Sequence, residues 1–325
     1  MRPLSAFRSG ARSNYVIAAI FGLGLCALAT GCSIGSSATH AVDISRSERQ
    51  AISTPSPADE VIAGVEGSPV SYWKPGKRFY ATDNRVLLIF DQQGLPRDPE
   101  AVGLGRREIE FREVRRTRRP DGTDEGVLIF GVDSLSLSYP TGRSPEQTLE
   151  MMSTDLPMLV DLDVVSELNR RLSGRELWTR TPLWYAPDST ESRVDGRKFE
   201  RVEVESVRPG DAAYPVVVAF KDESGAPAAV KMSFGRSAAQ SRTFSSLFST
   251  SDPKLDYPDI DDVVWQLIRR GRVRAGMTKD QCRLSIGPPT SVQAGHDYSR
   301  TLDLWEYADG QYLMFVDGLL TRFRL

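Results

Sequence analysis

The chain has 325 residues, of which 26% are charged and 40% are hydrophobic, with 26 glycines and 20 prolines. These proportions exclude a polytopic membrane protein, a collagen and a fully disordered chain. Forty-one basic and 43 acidic side chains give a formal charge of −2, so no overall electrostatic attraction draws the chain to nucleic acid.

The first 31 residues combine a basic start with a short apolar run. Arg2, Arg8 and Arg12 carry positive charge with no acid nearby. Residues 15–30 are apolar but are interrupted by glycine, and they fall short of the roughly 20 apolar residues that a membrane-spanning helix needs. A basic segment, a short apolar segment and then small residues are typical of a secretory signal peptide.

The apolar run ends in Ala29-Thr30-Gly31-Cys32, which resembles the lipobox of bacterial lipoproteins, with alanine where that family prefers leucine. The resemblance implies cleavage between Gly31 and Cys32 and acylation of Cys32, which anchors the chain to a lipid bilayer without a transmembrane helix. Ser33 resembles the residue of the class sorted to the outer membrane, so we expect a periplasm-facing protein anchored there. The alternative is an ordinary secretory signal with incidental cysteines.

Two segments of contrasting composition follow the signal. Residues 32–60 are rich in Ser, Ala, Thr and Pro, which predicts a flexible tether. Residues 61–140 alternate short runs of β-branched and aromatic residues with turn residues, which predicts a strand-rich domain. Its strands are predicted at residues 78–80, 86–90, 108–114 and 127–130.

A second strand-rich domain, residues 174–235, has a pattern similar to that of the first. Residues 76–80 correspond to 174–178, residues 109–114 to 202–207, and residues 127–130 to 216–220, with offsets of 98, 93 and 90. A shrinking offset is expected when equivalent strands are joined by loops of different length. A true repeat would consist of two small SH3-like β-barrels; the alternative is chance similarity, since strand patterns are degenerate.

Two connecting segments are predicted between the domains. Residues 141–173 are predicted as a helical connector, because Ser144 and Gln147 form a capping box and apolar residues at helical spacing follow. Residues 236–258 are serine-rich and are predicted as a linker. Three apolar residues in that linker fit either a docked segment or a partner-binding patch: Phe244, Leu247 and Phe248.

The last segment, residues 259–325, predicts two short helices followed by an antiparallel sheet of three or four strands. Thr278 and Gln281 form the capping box of the second helix. Asp309-Gly310 and Asp317-Gly318 suit the positive φ angles of tight hairpin turns. The first helix carries one apolar stripe, made of Ile260, Val263, Val264, Leu267 and Ile268. The strands are predicted at residues 302–307, 311–316 and 319–324, with a fourth near residues 290–294.

Four motifs of this segment resemble, in order and spacing, those of the SmpA/OmlA lipoprotein domain. They are Gly276-Met277-Thr278, Gly287-Pro288-Pro289, Trp305-Glu306-Tyr307 and Phe315-Val316-Asp317-Gly318. The resemblance covers residues 260–325 and implies two helices on a three-stranded sheet. The best-known family members are outer-membrane lipoproteins of the β-barrel assembly machinery, and the fold is also similar to the repeats of β-lactamase-inhibitory proteins. This chain departs from the family by placing the domain last, so the resemblance implies the domain and not that assembly subunit.

No catalytic residue, metal site or cofactor is predicted. Two histidines and three cysteines are too few for a clustered metal site, and no nucleophile, base and acid can be assembled. His296 is predicted in a surface loop and Cys282 as a buried small hydrophobe. The arginine-rich residues 112–119 predict a solvated hairpin tip, with an anion-binding patch as the alternative.

These features predict an α+β, non-enzymatic envelope lipoprotein that acts as a scaffold or accessory factor in envelope assembly or integrity through protein–protein binding. Both faces of the C-terminal sheet carry apolar residues, so one face needs a cover. Trp305 and Tyr307 are the candidate contacts, to an envelope partner or to the preceding strand-rich region. The expected partners are the bilayer, through Cys32, and an envelope protein, but not nucleic acid. The alternatives are a module that binds peptidoglycan or another envelope polymer and, third, an envelope hydrolase.

Overall fold

The computed structural model describes residues 56–91, 93–188, 191–235, 242–297 and 299–325. These ranges form an α+β fold in which every sheet is antiparallel, so the α+β part of the predicted fold is confirmed. The predicted cleavage and lipidation site, Gly31 and Cys32, lies outside the described residues, as does the tether up to residue 55. The predicted tether is wrong for residues 57–60, which belong to the helix Pro57–Val61, because a capping box starts this helix and its Ala58 is buried in a core. Within the described part of the chain, no helix is both long and apolar enough to cross a membrane.

The first sheet has five strands in the order β4-β3-β2-β1-β5. Their bounds are β1 (Arg78–Ala81), β2 (Glu108–Arg118), β3 (Asp124–Val132), β4 (Leu135–Pro140) and β5 (Leu159–Asp161). Exposed and buried residues alternate in β1 and in the first part of β2, as expected for strands with one face on a core. The ring of Phe79 lies in this core, 5.0 Å from Trp73 and 5.7 Å from Phe130 between centroids.

Two segments of the first sheet differ from the prediction. The strand predicted at residues 86–90 is a 3₁₀ helix, Asn84–Ile89, because the Asp83 carboxylate accepts a hydrogen bond from the Arg85 N–H and starts a helical turn. Strand β5 lies inside the predicted helical connector, where it pairs with β1. Only three residues long, β5 is too short to show the period-2 alternation that marks a strand in sequence.

The second sheet has seven strands in the order β12-β6-β9-β10-β11-β7-β8. Their bounds are β6 (Glu176–Thr179), β7 (Leu183–Tyr185), β8 (Arg193–Asp195), β9 (Arg201–Pro209), β10 (Val216–Asp222), β11 (Pro227–Met232) and β12 (Phe248–Ser249). The central strand β10 is buried over Val216–Phe220, as expected for a strand covered on both faces.

Five strands of each sheet share one order of pairing, β5-β1-β2-β3-β4 in the first and β12-β6-β9-β10-β11 in the second. The Gly76 N–H donates to the Phe111 carbonyl, and the Gly174 N–H donates to the Val204 carbonyl, both at 2.8 Å. Both ladders also skip one residue at the same place, Arg112 in β2 and Glu205 in β9. No ladder among the described strands joins the outer strands of either sheet.

The helices outside the C-terminal segment are short except one. They are α1 (Pro57–Val61), α2 (Pro99–Val102), α3 (Pro145–Leu149), α4 (Leu162–Leu172) and α5 (Phe244–Leu247). Helix α3 begins at the predicted capping box of Ser144 and Gln147. Helix α4 follows β5 directly, and its buried residues Val164, Val165, Leu168 and Leu172 join the core of the second sheet. Helix α4 therefore packs against the sheet that follows it in the chain.

The predicted linker, residues 236–258, contributes to the core of the second sheet. Helix α5 is followed immediately by β12, which pairs with β6. The Phe248 ring lies 5.3 Å from Phe244 and 6.3 Å from Phe220 between centroids. Phe244, Leu247 and Phe248 are at most 2% exposed, so of the two open alternatives the docked segment is the one observed.

The C-terminal segment contains α6 (Asp262–Arg269), α7 (Lys279–Ile286) and a four-stranded sheet in the order β13-β14-β15-β16. The strands are β13 (Ser291–Asp297), β14 (Arg300–Glu306), β15 (Tyr312–Val316) and β16 (Leu319–Arg324). Asp309, Gly310, Asp317 and Gly318 all have positive φ, as the two Asp-Gly turns require.

Two residues of this segment lie in different surroundings from those predicted. Val263, predicted in the apolar stripe of α6, is 62% exposed, while Trp265 is buried instead. The buried side of α6 thus contains Trp265 in place of the predicted Val263. His296, predicted in a loop, is an exposed residue of β13 opposite Thr301, because the hairpin between β13 and β14 is tighter than the sequence indicated.

Candidate partner-binding surface

The helices α6 and α7 cover one face of the C-terminal sheet. Trp305, Leu313, Phe315 and Leu320 point from the sheet into a core shared with Val264, Ile268 and Cys282 of the helices. The Trp305 ring lies 4.8 Å from the Phe315 ring between centroids, and the Arg283 guanidinium lies 5.4 Å from the Trp305 ring. Burial raises the pKa of the Cys282 thiol to about 12, so Cys282 is a packing residue and not a nucleophile.

The predicted partner contact at Trp305 is wrong, because this side chain is only 3% exposed beneath the helices. Tyr307, on the same face, is half-buried, and its hydroxyl donates to the Gly287 carbonyl at 3.1 Å. Burial raises the pKa of Tyr307 to about 12. The sequence predicts that Trp305 and Tyr307 share one face of β14. In the structure this is the face that the helices cover.

The opposite face of the sheet carries a second apolar set, which we call the open face. Leu302 pairs with Val316 across the sheet, and Leu304 pairs with Met314. The six residues of the open face are Leu302, Leu304, Tyr312, Met314, Val316 and Leu319. None of them belongs to the buried clusters of the described residues or packs against one, and Leu319 is 47% exposed. The other five side chains are half-buried. A contiguous apolar surface of this kind outside the buried clusters marks an interaction surface.

Charged residues surround the open face unevenly. Arg322 and Arg324 lie opposite Met314 and Tyr312 in the ladder of β15 and β16, and both are exposed. Arg300, on the same face of β14, is exposed as well. The acid on this face of β14 is Glu306, which accepts a hydrogen bond from the Gln293 amide at 3.3 Å. An apolar centre with a mainly basic rim has the anatomy of a protein–protein interface.

A loop of the second sheet's domain, residues 197–200, fixes the C-terminal domain in place. The Lys198 ammonium donates to the carbonyls of Ser285, at 2.7 Å, and Leu284, at 3.3 Å, near the end of α7. The Phe199 ring stacks on Trp265 at 5.2 Å between centroids. Burial lowers the pKa of Lys198. Together these contacts give the open face a defined orientation relative to the second sheet.

The same loop contains a buried ion pair with α6. Glu200 is 2% exposed, and its carboxylate accepts a hydrogen bond from the Arg269 guanidinium. Arg197 is a second, more distant cation, 3.7 Å from the Glu200 carboxylate. A buried carboxylate needs such a partner, because an unpaired charge in the interior is costly.

A polar cleft of about 850 Å³ lies between the first two sheets. Two of its four cations are paired with neighbouring acids, Arg85 with Asp83 at 2.9 Å and Lys231 with Asp211 at 2.8 Å. Tyr80 is the aromatic side chain among its described lining residues. A groove lined by exposed aromatic residues would favour the polymer-binding alternative, and this cleft does not supply one.

Other charged and reactive groups of the described chain do not form a site. The arginine-rich hairpin is partly neutralised by neighbours, with Arg119 held by Glu125 at 3.0 Å and Arg116 by Glu146 at 3.2 Å. His296 is exposed on β13 while Cys282 is buried, so the structure does not bring them together. In the ranges that the structure describes, no cluster of three or more His, Cys, Asp or Glu side chains could hold a metal ion.

Comparison of the chain with protein-family models, with curated proteins and with solved structures gives no match. The resemblance of residues 260–325 to the SmpA/OmlA domain therefore stays a prediction that rests on the four motifs.

Proposed function

We propose that the protein is a non-catalytic lipoprotein of the bacterial envelope that is anchored through Cys32 and binds another envelope protein through its open face. The observation that carries this proposal is the contiguous apolar surface of six side chains on the C-terminal sheet, five of them half-buried and Leu319 exposed, which belongs to no buried cluster of the described residues. The signal-like N-terminus and the lipobox resemblance support the anchor. A lipid anchor confines the search for a partner to a thin layer and raises the effective concentration of both proteins.

The chemistry of the open face defines the partner. Its centre would pack against apolar side chains, while Arg300, Arg322 and Arg324 at its rim favour acidic side chains on the other protein. The expected partner is therefore an envelope protein that presents an apolar patch with an acidic border.

The two strand-rich regions are, in this proposal, copies of one small β-barrel-like unit that carries the C-terminal domain. The shared strand order and the matching skipped residues, Arg112 and Glu205, support a duplication. We also assign residues 260–325 to an SmpA/OmlA-like domain, supported by the arrangement of two helices on one face of the sheet. These units would hold the open face at a fixed place on the scaffold.

The test of the binding function is Leu304→Glu, which places a charge at the centre of the open face. We expect recovery of the partner from solubilised envelopes to fall by about tenfold or more, because a buried unpaired carboxylate weakens an interface. Val263→Glu is the matched control, since Val263 is an exposed apolar residue of the same domain on α6. The melting temperature of each variant checks folding.

Two further results decide the proposal. Exchanging Arg322 and Arg324 for glutamate should also reduce recovery of that partner, because the rim is expected to meet acidic side chains. Equal recovery by the wild type and Leu304→Glu, with both chains folded, would remove the open face as the binding site. For the anchor, labelled palmitate should enter the wild-type chain and not Cys32→Ser; labelling of Cys32→Ser would remove the assignment of Cys32.

A further inference from the structure

One edge strand of the C-terminal sheet, β13, is long and uncovered. It has seven residues and pairs with β14 along its whole length without a register shift. It has no neighbour on its other side among the described strands, and residues 293–296 are exposed. Its sequence, Ser-Val-Gln-Ala-Gly-His-Asp, contains no proline, lysine or arginine. Proteins normally protect the edges of their sheets, because a free edge is a template for pairing with another chain.

The four edges of the first two sheets carry such protection. Strands β5, β8 and β12 have only two or three residues each, too few to form a ladder with another chain. Strand β4 ends at Pro140, and its Ser138 carbonyl accepts a hydrogen bond from the Asp91 N–H at 2.7 Å. In the described part of the chain, none of these strands offers a long free edge.

The opposite edge of the C-terminal sheet, β16, is protected as well. A register shift interrupts its ladder with β15. The Leu320 N–H donates to the Met277 carbonyl, and the Leu320 carbonyl accepts from the Gly276 N–H, both at 2.8 Å. Arg322 and Arg324 place two charges on the rest of the strand. Strand β13 has neither a bulge, nor a cover among the described residues, nor a basic side chain.

The backbone hydrogen bonds of the sheet identify the free groups of β13. On β14, the Thr301 carbonyl accepts a hydrogen bond from the Asp317 N–H, on the side of β15. Because bonding directions alternate along a strand, the even-numbered residues of β14 bond to β13, where their partners are residues 291, 293, 295 and 297. The residues between these partners direct their N–H and C=O groups to the free edge, and those groups have no protein partner among the described residues: Val292, Ala294 and His296.

Strand β13 is complementary to a second copy of itself. When two copies lie antiparallel about Ala294, residue 294 meets residue 294 and residue 292 meets residue 296. Each of these pairs consists of outward-directed residues, so each exchanges two hydrogen bonds and no free group is left over. On the open face, Gln293 lies opposite Gly295 and Ser291 opposite Asp297. Asp297 is the one acidic residue of the strand, so the pairing sets no like charges directly opposite each other.

We propose that two copies of this protein associate by antiparallel pairing of their β13 edges about a two-fold axis at Ala294. The pairing joins two four-stranded sheets into one sheet of eight strands and sets the two open faces side by side. It uses backbone groups of β13, so it does not depend on the partner binding proposed for the open face. An anchor in one membrane would favour it further by raising the effective concentration of the two copies.

The test is disulfide cross-linking of the full chain carrying Cys26→Ser and Cys32→Ser, in which the remaining cysteine, Cys282, is buried. Ala294→Cys places a thiol at the two-fold axis, where opposing Cα atoms about 5.5 Å apart fit a disulfide. After oxidation with copper phenanthroline we expect most of this variant to run as a dimer on a non-reducing gel. Cross-linking traps the pairing even where its affinity in solution is low.

Two matched variants control for the register and for chance collision. Gln293 is next to Ala294, but in the proposed register it lies diagonal to its own counterpart, roughly 7–8 Å away and beyond the usual range of a disulfide. Thr321 is exposed on the protected strand β16. Gln293→Cys and Thr321→Cys should each give at least about tenfold less dimer than Ala294→Cys.

His296→Pro, added to Ala294→Cys, should reduce the amount of dimer by about tenfold or more. The His296 N–H points to the free edge, so proline removes a donor of the proposed pairing while the ladder with β14 stays intact. Leu304→Glu, added in the same way, should leave the dimer unchanged, because Leu304 lies on β14 and not on the edge strand. This result separates β13 pairing from the binding function of the open face.

No dimer with Ala294→Cys, or equal yields from the three cysteine variants, would overturn the proposal. Cross-linking of Ala294→Cys in envelopes to a different protein in place of a second copy would overturn it as well, since the edge would then belong to that protein. The melting temperature of each variant checks folding. Should His296→Pro fail to fold, the difference between Ala294→Cys and Gln293→Cys still decides the pairing.

Discussion

Replacing Trp305 with alanine is expected to destabilise the C-terminal domain by about 3–5 kcal/mol, the usual cost of truncating a buried tryptophan. The indole fills the space between the sheet and the helices α6 and α7, and its loss removes the contacts with Phe315 and Arg283. Urea unfolding followed by circular dichroism measures the change. Partner recovery at a temperature where the variant is folded should be unchanged, because Trp305 does not reach the open face.

Leu319→Ala is the control for this prediction. Leu319 is in the same sheet but on the open face and nearly half exposed, so its truncation should cost less than about 1 kcal/mol. A cost below about 1 kcal/mol for Trp305→Ala would contradict the packing described for the helix-covered face. If a folded Trp305→Ala chain no longer recovered the partner, Trp305 would belong to the binding surface.

Arg269→Met is expected to cost about 3–5 kcal/mol, because it leaves the Glu200 carboxylate buried without its main cation. Glu200 is 2% exposed, and Arg197 reaches it only from the surface at 3.7 Å. The double variant Arg269→Met with Glu200→Leu should recover most of this loss, since replacing both members of a buried pair with apolar residues is often neutral. The measurement is the free energy of unfolding in urea.

Arg78→Met provides the matched control for the ion pair. Arg78 pairs with Glu108 at 2.9 Å, but both side chains are about half exposed, so its loss should change the stability by no more than about 1 kcal/mol. Similar costs for Arg78→Met and Arg269→Met would mean that burial does not strengthen the contact between residues 197–200 and α6. A double variant as unstable as Arg269→Met alone would assign the cost to packing and not to charge.

The elements that the sequence predicted well are those with local causes. Helix α7 begins after Thr278, whose hydroxyl oxygen accepts a hydrogen bond from the Gln281 N–H. The Gln281 side-chain oxygen in turn accepts a hydrogen bond from the Thr278 N–H. Both Asp-Gly pairs adopt the positive φ expected of them. Such signals lie within four residues, so no distant part of the chain has to be known.

The features that were missed depend on distant contacts. Strands β5 and β12 have three and two residues, too few for a periodic pattern, and they exist because β1 and β6 present free edges to them. Both faces of the C-terminal sheet are apolar, so the sequence could not show which face the helices cover, and the contact was assigned to Trp305 instead of the open face.

The buried pair of Lys77 and Asp161 is another feature that depends on a contact between residues distant in the sequence. Asp161 precedes an apolar helical run, as a helix cap does, and it accepts a hydrogen bond from the Asp163 N–H at the start of α4. Its pairing with the Lys77 ammonium at 2.9 Å joins residues 84 positions apart, which no local pattern can show. Lys77 had no local signal, since an isolated lysine after a glycine is most often a surface residue.

The direct passage from β5 into α4 has a consequence for how the molecule unfolds. Asp161 ends β5 in the first sheet and caps the helix whose apolar side completes the core of the second. Pulling the two sheets apart would strip α4 from its core or β5 from β1, so we expect the loss of one sheet to destabilise the other. A fragment that ends at residue 173 would expose the whole apolar side of α4 to water and aggregate. The first two sheets therefore form one cooperative unit, although the sequence divides them into two domains.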